Sequence, residues 1–97
     1  MRDAEGLAGI FSCMADPTRL SVMLALLEGE LCVCDLSARA EASVSAISHG
    51  LRLLRARGLV VRRRQGRHMY YRLADNHVET LLRTALEHLA HLGPAAR

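Results

Sequence analysis

The chain has 97 residues, 51% of them apolar, which makes one small domain with enough apolar side chains for a core and a surplus for an interface with a second chain. No run of about eighteen apolar residues occurs, so no membrane span is expected, and Met1-Arg2-Asp3-Ala4-Glu5-Gly6 lacks the basic-then-apolar plan of a signal peptide, so the expected location is cytoplasmic. Three cysteines, two of them close together, suggest reduced thiols, buried or metal-binding, rather than a disulfide framework, and the net charge is only +3.

In chain order, a first helix is expected over Leu7 to Met14. Asp16-Pro17 restarts the chain, because Asp16 can cap a helix and Pro17 suits its first position. The second helix steps through Leu20, Met23, Leu24 and Leu27 and stops at Gly29, and a short third one covers Cys32 to Arg39. Ala40-Glu41-Ala42 is a tight connection, after which Ser43 caps a fourth helix whose Val44, Ile47, Leu51 and Leu54 recur by threes and fours. Gly58 suits the left-handed position after that helix. Two strands are predicted over Val60 to Arg64 and Arg67 to Leu73, joined at Gln65-Gly66, with Met69, Tyr71 and Leu73 inward and Tyr70 and Arg72 outward. The last helix carries Val78, Leu82, Ala85, Leu89 and Leu92 on one face and stops at Gly93-Pro94. Five helices with a hairpin before the last give a mainly α fold with a small β-hairpin, in the order α-α-α-α-β-β-α. This is the plan of a winged helix-turn-helix, with residues 1–97 as a single domain, 32–57 as the helix-turn-helix and 60–73 as the β-wing.

Charge is distributed unevenly. Arg52, Arg55, Arg57, Arg62, Arg63, Arg64, Arg67 and Arg72 crowd one segment, and no acidic residue occurs between Ala42 and Ala74. A solvated face would account for a charge run, but this one coincides with the helix and hairpin that could read DNA, so double-stranded DNA is the expected partner. Ser45, Ser48 and His49 lie in the first half of the fourth helix and Arg52 continues along it, where short polar side chains can bond phosphates or base edges. Arg62, Arg63, Arg64, Gln65 and Arg67 surround the strand tip and can lie along the backbone or reach a minor groove. Ser43 is expected to act mainly as a cap.

Asp75, His77, His88 and His91 fall on the last helix. His77 and His88 differ by only about 20° around the axis but are about 16 Å apart along it. One ion with ligand bonds near 2 Å cannot touch both in one helix. Two antiparallel copies would bring Asp75 and His77 of one chain to His88 and His91 of the other, giving two identical sites per dimer. The alternative is a solvated stripe, with Asp75 as a cap and His91 favouring the helix dipole.

Ala15-Asp16-Pro17-Thr18-Arg19-Leu20, Glu30-Leu31-Cys32-Val33-Cys34-Asp35-Leu36, Val44-Ser45-Ala46-Ile47-Ser48-His49 and Arg64-Gln65-Gly66-Arg67-His68-Met69-Tyr70-Tyr71-Arg72-Leu73 together resemble the ArsR/SmtB family of metal-responsive winged helix-turn-helix repressors. The resemblance implies a homodimer, paired through its first and last helices (residues 7–14 and 76–92), that binds operator DNA when metal-free and is released by metal. It implies an intersubunit site of Asp75, His77, His88 and His91. Four N/O ligands suit Zn(II), with Co(II) as a mimic and Ni(II) less well matched.

The resemblance also implies a bond from His88 to a backbone carbonyl near Gly58 that links metal to DNA. Cys32 and Cys34 match a second family site for soft metals such as Cd(II), Pb(II) or As(III). The chain departs from that pattern in having Ser37 where arsenite sensors carry a third cysteine, and no cysteine before Cys13, itself expected to be a small buried hydrophobe. Three readings follow: a zinc-released repressor, a repressor answering soft metals or thiol oxidation through Cys32 and Cys34, and a dimer merely stapled by zinc. No Gly-rich phosphate loop or nucleophile elbow is present, so neither enzymatic activity nor a small organic substrate is expected.

Overall fold

The computed structural model describes residues 2–96; Met1 and Arg97 of the expected domain span lie outside the described residues. Helices α1 (Arg2–Met14) and α2 (Pro17–Leu26) precede strand β1 (Leu31–Cys32), helices α3 (Val33–Ala40) and α4 (Val44–Ala56), strands β2 (Val60–Gln65) and β3 (His68–Leu73), helix α5 (Asn76–Leu92) and a 3-10 turn at Pro94–Ala96. Helix α1 starts earlier than expected, since Asp3 and Glu5 in its first turn favour the positive end of the helix dipole. Asp16 caps α2 by accepting from the Arg19 N–H at 2.9 Å, with Pro17 at the first position. The second helix ends at Leu26, short of Gly29. Leu27, Glu28 and Gly29 instead donate to Leu24, Ala25 and Leu26 in a tightened final turn.

Strand β1 was not expected. It pairs antiparallel with β3, Leu31 opposite Tyr71 and Cys32 opposite Tyr70, so the hairpin becomes a three-stranded sheet in the order β1-β3-β2. A two-residue strand has no periodicity to reveal it and forms because the free edge of β3 offers unpaired backbone groups. The third helix accordingly starts at Val33, with Cys32 at its N-cap. In the hairpin, Gln65 pairs with His68, so Gly66 and Arg67 form the tip, one residue later than expected, with Gly66 at φ 62°.

The core lies between α2, α3, α4 and the inner face of the sheet. Met23, Leu36, Ile47, Leu51 and Leu54 are fully enclosed, and Tyr71 and Leu73 close it from β3 as expected, with Met69 half-buried beside them. Arg19 ties three helices together. Its Nε donates to the Cys13 carbonyl at 2.6 Å, and its aliphatic stem crosses Gly50, where a Cβ would sit 3.2 Å from Cγ.

Helices α1 and α5 are covered only at one end. Met14 is the buried residue of α1, and Val78 and Leu82 are those of α5, whereas Leu7, Phe11, Leu81, Leu86, Leu89 and Leu92 are exposed. The radius of gyration is 13.9 Å, above the about 12.5 Å of an ordinary domain of this length, as projecting helices require. Truncating the enclosed Leu51 to Ala should cost about 3 kcal/mol of unfolding free energy, measured by urea denaturation. A loss near zero would contradict this core.

Candidate nucleic-acid and metal sites

The third and fourth helices are joined by a turn built from specific bonds. Glu41 takes the left-handed conformation (φ 51°, ψ 45°) at the C-cap of α3. The Ala42 N–H donates to the Ser37 carbonyl, and the Ser37 hydroxyl donates to the Ala42 carbonyl. Ser37, standing where the soft-metal pattern has a third cysteine, thus holds the helix-turn-helix angle. Ser43 caps α4 by accepting from the Ala46 N–H at 3.0 Å, the role expected of it.

On α4, Ile47, Gly50, Leu51 and Leu54 are buried, while Ser45, Ser48, His49 and Arg52 are exposed. The exposed four span an arc of about 100° on the side facing away from the core. Val44, expected to extend the apolar stripe, is instead 51% exposed. At the first turn it lies beyond the reach of the core, so spacing alone misplaces it.

The wing residues divide by face. Arg62 and Arg64 stand opposite Tyr71 and Met69, and Arg63 stands opposite Tyr70 on the outer face. All of these arginines, with Gln65 and Arg67, are exposed. Arg63 is nevertheless engaged. Its Nε and Nη2 bond the Glu30 carboxylate at 2.8–3.0 Å, its Nη1 donates to Gln65 Oε1 at 2.7 Å, and its guanidinium lies 5.1 Å from the Tyr70 ring centre. The hydrogen bond to Arg63 holds the Glu30 carboxyl below the usual glutamate range, and the same bond raises Arg63. Glu30 was not singled out from sequence; only its place just before the hidden β1 brings it to the wing.

At the start of α5, Asp75 Oδ1 accepts from the His77 and Val78 N–H groups at 2.9 and 3.2 Å and lies 3.4 Å from His77 Nδ1. Capping therefore uses Oδ1, and the Asp75 side chain is otherwise half open to solvent. The His77 side chain is 97% exposed. Eleven residues on, the His88 and His91 rings stack at a centroid distance of 6.5 Å. Among the described residues of this single chain, no three His, Cys, Asp or Glu side chains gather closely enough to hold an ion. That agrees with the axial separation along one helix. The donor set fits a four-ligand N/O site only across two copies. His88 is exposed, and Gly58, at φ 70°, ends α4 with its N–H bonded to the Arg55 carbonyl. Within one chain no hydrogen bond joins His88 to Gly58.

Cys32 and Cys34 do not share a regular helix, because the strand-to-helix junction falls between them. Both line a cleft of about 180 Å³ with Arg67, His68 and Met69. The Cys32 Sγ donates to Asp35 Oδ2 at 3.2 Å. Cys13 is half-buried at the end of α1 and packs against the core.

A helix-turn-helix with a β-wing, an exposed polar face on its second helix and arginines on the wing defines a winged helix-turn-helix regulator. Residues 16–61 match the model of the bacterial regulatory protein, arsR family. A transcriptional repressor SmtB homolog from Synechocystis sp. is 55% identical over 86 residues, covering 89% of this chain and 65% of that protein. A cadmium resistance transcriptional regulatory protein CadC homolog from Staphylococcus aureus is 43% identical over 82 residues, covering 84% and 68%. Among solved structures, the homodimeric winged helix-turn-helix DNA-binding domain of a possible ArsR-family transcriptional regulator from Mycobacterium bovis aligns with a TM-score of 0.81 and 30% identity, covering 91% and 85%. This chain belongs to the ArsR family of bacterial regulatory proteins. It spans about two thirds of the length of those two curated relatives. No described helix is long and apolar enough to cross a membrane.

Because the Glu30 pKa is lowered, the Glu30–Arg63 bond is complete at neutral pH and is lost only as pH falls through that lowered value. The Arg63 Nε–H resonance, followed by NMR on acidification, should hold its position until below the ordinary glutamate range, and Glu30→Gln should abolish the transition.

Proposed function

We infer that the protein is a cytoplasmic, metal-sensing transcriptional repressor that binds operator DNA as a metal-free homodimer and leaves it on binding Zn(II) between the C-terminal helices. One observation carries this reading. Asp75 and His77 at one end of α5, and His88 and His91 at the other, are exposed; the three histidines lie on one stripe, and the two ends are too far apart to serve one ion within a chain. An antiparallel second copy of α5 makes them complete. The uncovered apolar faces of α1 and α5 supply the surface for that pairing.

In the paired state Asp75 and His77 of one subunit, with the partner subunit's His88 and His91, would hold the ion, and Co(II) would occupy the same ligands. What the ion supplies when bound is a divalent charge joining four side chains of two chains. The chain's own residues do the rest. Asp75 caps α5 with one oxygen and would ligate with the other, so ligation and the helix start would be coupled. His88 would use its second ring nitrogen to donate to the Gly58 carbonyl, connecting α5 to the end of the DNA-reading helix. Release then requires that the α5 arrangement favoured by ligation differ from that of the DNA-bound dimer, and DNA must weaken metal binding by the same factor.

A second reading, sensing of a soft metal or of thiol oxidation at Cys32 and Cys34, is favoured by their shared cleft with His68 and Met69. On the DNA side, Ser45, Ser48, His49 and Arg52 would face the major groove, and Arg62, Arg64 and Arg67 the backbone.

The test is Zn(II) titration of the protein–operator complex by fluorescence anisotropy, with wild type beside His77→Ala and Cys32→Ser/Cys34→Ser. Release lost in the histidine variant and kept in the cysteine variant is expected; the reverse pattern would move sensing to the thiolates. His88→Asn should retain part of the metal affinity while losing release, and normal zinc-driven release would refute its linking role. Arg64→Gln should reduce the slope of log K against log salt by about 0.9 per lost phosphate contact.

A further inference from the structure

Among the described residues seven large apolar side chains are exposed, and six of them, Leu7, Phe11, Leu81, Leu86, Leu89 and Leu92, lie on α1 and α5. Those six are accounted for by the proposed pairing of the terminal helices. The seventh, Val44, is 51% exposed on the first turn of α4 and is not among the buried residues of the core. Local physics gives no reason for it. Valine is a poorer helix former than Ala, Glu or Gln, and a residue half open to solvent contributes less burial to the fold than an enclosed one.

Resting on the reading of α4 as the DNA-reading helix, the geometry points to Val44 as a specificity residue that packs against a thymine 5-methyl group in the major groove. Val44, Ser48 and Arg52 are spaced by four and form one row, turning only about 40° per step. The row begins at the N-terminal turn of α4, the part of a recognition helix that meets base edges, and ends about 12 Å along the axis at an arginine. Thymine is the one base whose major-groove edge carries a methyl group, and apolar side chains are its complement. A β-branched side chain in a helix is nearly locked in one rotamer, so Val44 offers its methyl groups with little entropy to lose. Ser45 and Ser48 beside it are short and leave the base edge room to approach. The row thus combines an apolar contact to one base, a hydroxyl to the next and a cation toward the phosphates.

The experiment starts from a duplex selected by the full chain out of a random-sequence pool. Each thymine of that duplex is replaced singly by deoxyuridine, which removes only the methyl group, and affinities are measured for wild type and Val44→Ala. Expected is one thymine per half-site whose replacement weakens wild-type binding about fourfold, the worth of one buried methyl, and weakens the variant less than twofold. Because Val44 is exposed, the variant should keep its circular dichroism spectrum and its salt dependence of binding. Equal losses in both proteins at every thymine, or a selected site without a sensitive thymine, would overturn the assignment and leave DNA binding intact. Failure to enrich any sequence would overturn the DNA-binding reading as well.

Discussion

A core that fits between α2, α3, α4 and a three-stranded sheet leaves nothing to cover the projecting halves of the two terminal helices, and this constraint shapes the rest of the molecule. Helix α5 has 17 residues, yet only Val78 and Leu82 are buried. Its outer half carries Leu86, Leu89 and Leu92 into solvent, where α1 adds Leu7 and Phe11. Apolar surface of this extent favours a second chain. The same projection separates the two ends of the histidine stripe, so a metal site on α5 and a paired dimer are one proposal rather than two. In that proposal neither half of the ligand set is complete without the other chain.

The DNA-reading elements are held differently, by specific polar bonds laid over a packed base. Leu36, Ile47, Leu51 and Leu54 seat α3 and α4 together. The turn between them is then set by the left-handed Glu41 and the paired Ser37–Ala42 bonds. On the wing, one arginine among several is withdrawn from the positive surface. Arg63 is bonded to Glu30 and Gln65 and lies over the Tyr70 ring, which ties the middle of the hairpin to the segment before β1 and leaves Arg62, Arg64 and Arg67 as cations without an acidic partner among the described residues. A row of like charges on two strands repels itself, and one carboxylate placed against its middle relieves part of that repulsion.

Strand β1 adds a connection that bears on any chemistry of the thiols. Cys32 pairs with Tyr70 through the backbone, and Glu30, two residues earlier, bonds Arg63. Events at Cys32 would thus be two residues from the bond that sets the wing. The α5 site is placed quite differently, against the open face of the protein, with Gly58 at the end of α4 as its nearest proposed link to DNA. The two metal readings therefore differ in route as well as in ligand chemistry. The α5 route would act on how two subunits pair, and the thiol route on the wing of one subunit.

By itself the sequence determined the order of five helices and a hairpin, the caps at Asp16 and Ser43, the polar face of α4, and the impossibility of a single-chain site for His77 and His88. These follow from local periodicity, capping chemistry and the fixed rise of a helix, none of which needs a neighbour to be known. Only the tertiary structure decided that Leu31–Cys32 form a strand, that Arg63 belongs to Glu30, that Ser37 holds the turn, and that Val44 faces solvent while Ile47 does not. A two-residue strand borrows its bonds from a segment nearly forty residues away, and an apolar residue at a helix's first turn reads the same whether or not the core reaches it. Those outcomes depend on which surfaces meet in three dimensions, and spacing along one chain carries no record of that.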